Sequence, residues 1–160
     1  MDICSNGIVT SNKIQKIEYE NKGFKIYKLI NDLVGKKEWA EKLEFTYIGN
    51  MSDEYSLNNT NLVNPLAGLE LAAEIKKHQI YVTASINEPS GNHHIEAAQC
   101  GLPIIYLESG GIPEYCEGYG LSFDNNFEKQ FWSNRIFYHN DCIGHIIIII
   151  FYLQFSFNVC

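Results

Sequence analysis

"IYVTASINEPSGNHHIEAAQCGLPIIYLE", residues 80–108, sets the architecture of this chain. Its first half is nearly apolar, as expected of a strand covered on both faces. A polar turn containing Pro89 and Gly91 follows, then "HHIEAAQC" with apolar positions at helical spacing, then a second apolar run in "PIIYLE". Strand, turn, helix and strand in immediate succession read as a βα unit feeding a parallel partner.

The same alternation extends outward. "GIVTS" (7–11), "FTYIG" (45–49), "NLVNP" (61–65) and "GLSF" (120–123) read as further short strands, and "FKIYKLINDLV" and "LAGLELAAEIKKH" as helices. The expected fold is α/β, a Rossmann-like, mostly parallel sheet with helices on both faces. In the second of those helices Leu and Ala positions form a core stripe, and Lys76 and Lys77 sit near the end where the helix dipole favours cations.

In an open parallel sheet, ligands collect at the carboxyl ends of the strands, where loops lead into helix N-termini. The polar half of the opening stretch falls there. Ser90 and Asn92 are candidate N-caps of the helix that carries Glu96. Beyond "PIIYLE" the chain turns at Gly110 and Gly111, a residue type that lets backbone approach a ligand closely. Glu88 and Glu96 lie eight positions apart, one in the loop and one about a turn into the helix. That spacing suits two contacts on different parts of an extended ligand better than one shared proton. Carboxylates accept hydrogen bonds from neighbouring hydroxyls, so sugar and ribose rings are natural partners.

Composition narrows the function classes. The chain has 160 residues, 46% of them hydrophobic, which suffices for one buried core. Its formal net charge is −7 and its sole arginine is Arg135, which argues against nucleic acid as a partner. Any phosphate must be held locally, by a few lysines, backbone N–H groups or a helix start. Five cysteines without a C-x-x-C pair indicate neither a disulfide framework nor a zinc knuckle, and a reduced, cytoplasmic setting is expected. Cys100 and Cys116 read as small packing residues.

A boundary is expected at residue 124. From Asn125 to Cys160 the texture changes to few charges, many aromatics and an isoleucine run at 146–150. The apolar run is interrupted by Gln154, Ser156 and Asn158, short of the ~20 apolar residues a membrane span needs. Residues 1–124 are therefore read as the ligand-binding domain and 125–160 as a divergent or artefactual tail that stays outside its packing.

The order Glu88, seven residues, Glu96, then "AAQCGLPIIYLESGGIPE", resembles the E-x7-E signature and the following "EA…G.P" and "GG.PE" segments of the glycosyltransferase family four group. The Lys22-Gly23 pair is similar to that family's "KG" segment, and the likeness runs from about Gly7 to Phe123. The resemblance implies the donor-binding, C-terminal half of a GT-B enzyme, which takes a nucleotide-sugar as substrate, needs no cofactor and retains anomeric configuration without a metal. By the same resemblance Glu96 would accept hydrogen bonds from the nucleotide ribose, and Glu88 would lie near the transferred sugar. Lys22 would neutralise the diphosphate, and Gly110 and Gly111 would offer backbone approach to it. Gly91, Asn92 and His93 would border the donor, with one of His93 and His94 touching the sugar or both remaining on the helix surface.

Two features depart from the family's pattern. No arginine precedes Lys22; Lys13 or Lys16 is a candidate substitute, each a point charge rather than a bidentate fork, so diphosphate binding is expected to be weaker or to be finished by another segment. The acceptor half is not recognisable, so the acceptor, whether sugar, lipid or protein, would be held elsewhere, on a missing N-terminal half or a separate acceptor-domain chain. A catalytically silent nucleotide-binding module is the alternative. "HIE" at 94–96 lacks the P-C-x-x-C partner of the zinc deaminases, no Asp-x-Asp cluster is present, and no G-x-G-x-x-G follows the first strand. Neither a metal nor a dinucleotide is expected.

Overall fold

A computed structural model of the chain describes residues 20–51, 55–89, 91–124 and 146–151. Strands and helices alternate as α1 (Phe24–Val34), β1 (Leu43–Ile48), β2 (Asn61–Val63), α2 (Gly68–Ile75), β3 (Ile80–Thr83), α3 (His93–Gln99), β4 (Ile104–Leu107), α4 (Ile112–Cys116), β5 (Gly120–Phe123) and β6 (Ile146–Phe151). The six strands form one sheet in the order β2-β1-β6-β3-β4-β5, with every pairing parallel. The fold is the expected α/β, Rossmann-like arrangement. The strand expected at 7–11 lies outside the described residues.

All four residues of β3 are buried, because helices cover both faces of the sheet. Its period-2 alternation sends Ile80 and Val82 into one core and Tyr81 into the other. The first core receives α1, whose Phe24, Tyr27, Ile30 and Val34 recur at helical spacing and meet Leu43, Phe45 and Tyr47 of β1. The second receives Leu71 and Ile75 of α2, Ala97 of α3 and Ile112 and Cys116 of α4 against Ile104 and Tyr106.

Two polar devices fix connections. Buried Asn31 of α1 accepts the Asn59 N–H at 2.8 Å and the Thr60 hydroxyl at 3.0 Å, which pins the approach to β2. Helix α3 stops because Gly101 turns left-handed at φ 89. The Leu102 N–H then reaches Ala97 O, and the Gly101 N–H reaches Ala98 O, satisfying carbonyls the helix end would orphan.

Residues 112–116, to which the sequence reading assigned no element, form a helical turn, with Pro113 in the first turn, where its missing N–H costs nothing. One correction concerns the tail. The isoleucine run is β6, between β1 and β3, in register with β1 from Leu43↔Ile146 to Ile48↔Phe151. The expectation that this stretch stays outside the packing therefore fails. An unbroken β-branched run is what a central parallel strand, covered on both faces, requires. The rest of the expected tail, 125–145 and 152–160, lies outside the described residues.

Candidate functional site

The carboxyl end of β3 is shaped by two backbone positions. Gly23, at the N-cap of α1, is left-handed with φ 73, and a Cβ there would collide with the carbonyl and side chain of Ala84. The turn it permits docks residues 21–23 against the strand end, where Ile86 N–H bonds Asn21 O at 2.6 Å. From the same helix, Tyr27 accepts the Ala84 N–H at 3.3 Å, and burial pushes its hydroxyl up to about 12. Asn87 is the one non-glycine with positive φ among the described residues, at 53°, a conformation Asn tolerates better than most. Its N–H bonds Ser109 Oγ at 2.9 Å, tying the loop after β3 to the loop after β4.

These two turns bring Lys22 and Glu88 together from positions 66 apart. Lys22 Nζ and Glu88 Oε2 form an ion pair at 2.5 Å, with side chains 26% and 18% exposed. The two residues singled out for catalysis thus meet at the strand end.

Gly110 and Gly111 are also brought there, for an intramolecular reason. Gly110 is left-handed at φ 64, and a Cβ on it would stand 2.5 Å from Glu88 O; one on Gly111 would stand 2.5 Å from Pro89 O. The Gly111 N–H is committed to Glu88 O at 2.9 Å. Their first role is to let two loops touch, which fixes the backbone of Glu88.

Gly91 makes room for a side chain. A Cβ there would lie 2.6 Å from His93 Nε2 and 3.0 Å from Glu88 Cγ. Asn92 occupies the N-cap of α3 without a side-chain capping bond, and its side chain is exposed at the rim. Ser90 lies outside the described residues, as do Lys13 and Lys16.

Neither histidine lies on the helix surface. His93 is buried and shares a 2.7 Å hydrogen bond between its Nδ1 and the Tyr81 hydroxyl. Burial, with smaller contributions from His94 and Lys22, pushes its pKa down to about 3, so the ring is neutral across ordinary pH. His94 is 1% exposed, edge-on to His93 at 5.2 Å between ring centroids. Burial lowers its pKa too, opposed by the Glu88 carboxylate.

Glu96, one turn after His93, does not point into bulk solvent. Its Oε2 is buried and has no hydrogen-bond partner among the described residues. Burial raises the carboxyl pKa above its ordinary 4.5. A carboxylate oxygen withdrawn from water without a donor is costly, and an incoming hydroxyl would relieve the cost.

Tyr81 and Ser109 escaped the sequence reading. A tyrosine in an otherwise apolar central strand was the available signal, because its buried hydroxyl must find a partner. Ser109 carried no signal beyond preceding the glycines. Among the described residues no group of three or more His, Cys, Asp or Glu side chains is arranged to hold a metal ion, and no helix is long and apolar enough to cross a membrane.

The family model for glycosyl transferases group 1 matches residues 16–134. The chain belongs to the group 1 glycosyltransferases. No curated protein and no solved structure matches it. In this glycosyltransferase the matched span includes Lys22, Glu88, Glu96 and both loop glycines, and it ends before β6. Strand β6 therefore completes the middle of the sheet from outside the span that carries the family's pattern.

Proposed function

We propose that the crevice at the carboxyl ends of β3 and β4 binds a nucleotide-sugar, and that the chain is the donor-binding half of a GT-B enzyme. The observation that carries this reading is the buried Oε2 of Glu96, which has no hydrogen-bond partner among the described residues. That oxygen accepts a ribose hydroxyl, whose hydrogen bond replaces the water lost on burial. Lys22 faces the diphosphate. As the bond from the anomeric carbon to the β-phosphate oxygen breaks, the departing nucleoside diphosphate keeps the electron pair, and the ammonium stabilises the charge that develops there. The acceptor hydroxyl oxygen forms the new glycosidic bond and gives its proton to the departing diphosphate oxygen.

Glu88 lies beside the transferred sugar and holds Lys22 until the donor arrives. Asn92 borders the donor from the rim, and Gly91, Gly110 and Gly111 act by shaping the two loops. His93 contributes as a buried support anchored on Tyr81. The acceptor, a sugar, lipid or protein, is held by a second half in the same or a separate chain. No dissociable cofactor or metal enters this scheme, nucleic acid is not a partner, and the setting is cytoplasmic.

The Lys22–Glu88 pair favours a second reading, a nucleotide-binding module without turnover, because Glu88 already offsets the charge that would face the diphosphate. Isothermal titration with UDP and GDP, followed by a donor-hydrolysis assay, separates the two. Binding with release of free sugar supports the transferase, binding alone supports the module, and no binding of either nucleotide refutes both.

A further inference from the structure

His94 is buried to 1% exposure, and neither of its ring nitrogens has a hydrogen-bond partner among the described residues. Buried polar atoms are almost always satisfied, so two on one ring call for an explanation. The ring lies between His93, at 5.2 Å, and Tyr115 of α4, at 5.4 Å between centroids and tilted by 53°. Tyr115 is 47% exposed and meets His94 through ring packing, so it covers the imidazole from the solvent side. The Glu88 carboxylate lies close enough for its charge to act on the ring.

A neutral imidazole offers one N–H donor and one nitrogen acceptor, the same complement as a hydroxyl. Burial keeps His94 in that neutral form. Resting on the donor-binding reading above, we infer that His94 is a specificity-determining residue that hydrogen-bonds a hydroxyl of the donor sugar once the Tyr115 ring swings outward. Glu96 and Lys22 address the nucleotide end of the donor, whereas His94, within reach of the Glu88 charge, addresses the sugar. A site built to bond a hydroxyl discriminates strongly against ligands lacking it, because its own polar atoms are then left unpaired.

The test compares each nucleoside diphosphate with its sugar conjugate on the full chain: UDP with UDP-glucose and UDP-N-acetylglucosamine, and GDP with GDP-mannose. In wild type the conjugate that fits binds more tightly than its diphosphate. His94→Leu, similar in volume and apolar, should lower that conjugate's affinity about tenfold while changing the diphosphate's by less than about threefold. His94→Gln, which keeps a donor and an acceptor, should recover part of the loss. In parallel, long-range proton–nitrogen NMR of the wild-type imidazoles should show the His94 nitrogens shifting with the conjugate and not with the diphosphate alone.

An unchanged affinity ratio in His94→Leu, or no shift of the His94 nitrogens on conjugate binding, overturns the assignment; a buried water then satisfies the ring. If His94→Leu fails to fold, the NMR result alone decides. If wild type binds none of these ligands, the donor-binding reading fails and His94 with it. Wild-type binding with an unchanged ratio sinks His94 alone.

Discussion

Glu96→Gln should stabilise the ligand-free protein and weaken its grip on a nucleotide, opposite effects from one substitution. The amide keeps the side chain's shape and removes the charge that burial penalises at Oε2. Leaving a charged group unsatisfied costs more than leaving a neutral one so, and relief of about 1 kcal/mol is reasonable for a half-buried carboxylate. In a domain of this size that corresponds to a rise in Tm of about 3 °C.

On the ligand side, replacing a charged acceptor by a neutral one should remove about 1–3 kcal/mol, or about 5- to 150-fold in Kd for UDP or GDP. The pH dependence has a fixed sign. The folded-state pKa of Glu96 is raised above its ordinary 4.5, so the folded protein holds this proton more tightly than the unfolded chain does. Wild type therefore loses this contribution to stability as pH rises through the folded pKa. The Tm advantage of the variant should be full above that pKa and should close as pH falls below 4.5. Calorimetry at a series of pH values, with titration of nucleotide at neutral pH, measures both arms. A variant less stable than wild type at neutral pH, or one with unchanged nucleotide affinity, would refute the reasoning.

Gly23→Ala places a methyl against Ala84 at a left-handed φ, and should cost about 2 kcal/mol or more in urea unfolding and displace Lys22 from Glu88. Glu88→Gln breaks a pair that is only partly shielded from water, so the stability loss should be about 1 kcal/mol. By releasing Lys22 it should leave UDP or GDP affinity equal or improved while lowering nucleotide-sugar affinity, which titration of both ligand types checks. Ile149→Pro removes a backbone N–H from a strand paired on both sides, and should lower stability by about 3 kcal/mol or more in denaturant melts. A neutral outcome there would mean that β6 is not the central strand.

Much of the site was legible because its residues are local. Glu88, Gly91 and Glu96 lie within one strand–loop–helix unit, and the same unit announced the parallel sheet through its apolar strand and its helical spacing. The purpose of the glycines was less legible. Gly110 and Gly111 announced close approach by residue type, but the partner that approaches, the loop at 87–89, is set by which strands neighbour each other. From the sequence the histidines read as surface or ligand-facing residues at a helix start; in the structure α4 and Tyr81 pack against them and both are buried. The isoleucine run was set apart for its foreign composition, although it has the pattern a central strand needs.

Local pattern alone determined the alternation of strands and helices, the parallel class of the sheet and the placing of both glutamates at a strand end, because hydrophobic period and turn chemistry act over a few neighbouring residues. Tertiary structure decided what no local rule encodes. It inserted β6 between β1 and β3, paired Lys22 with Glu88 across 66 positions, and left Glu96 Oε2 and the His94 ring buried without hydrogen-bond partners among the described residues. Burial and charge pairing are properties of surfaces that meet only after the chain has closed on itself, and those surfaces come from segments far apart in sequence.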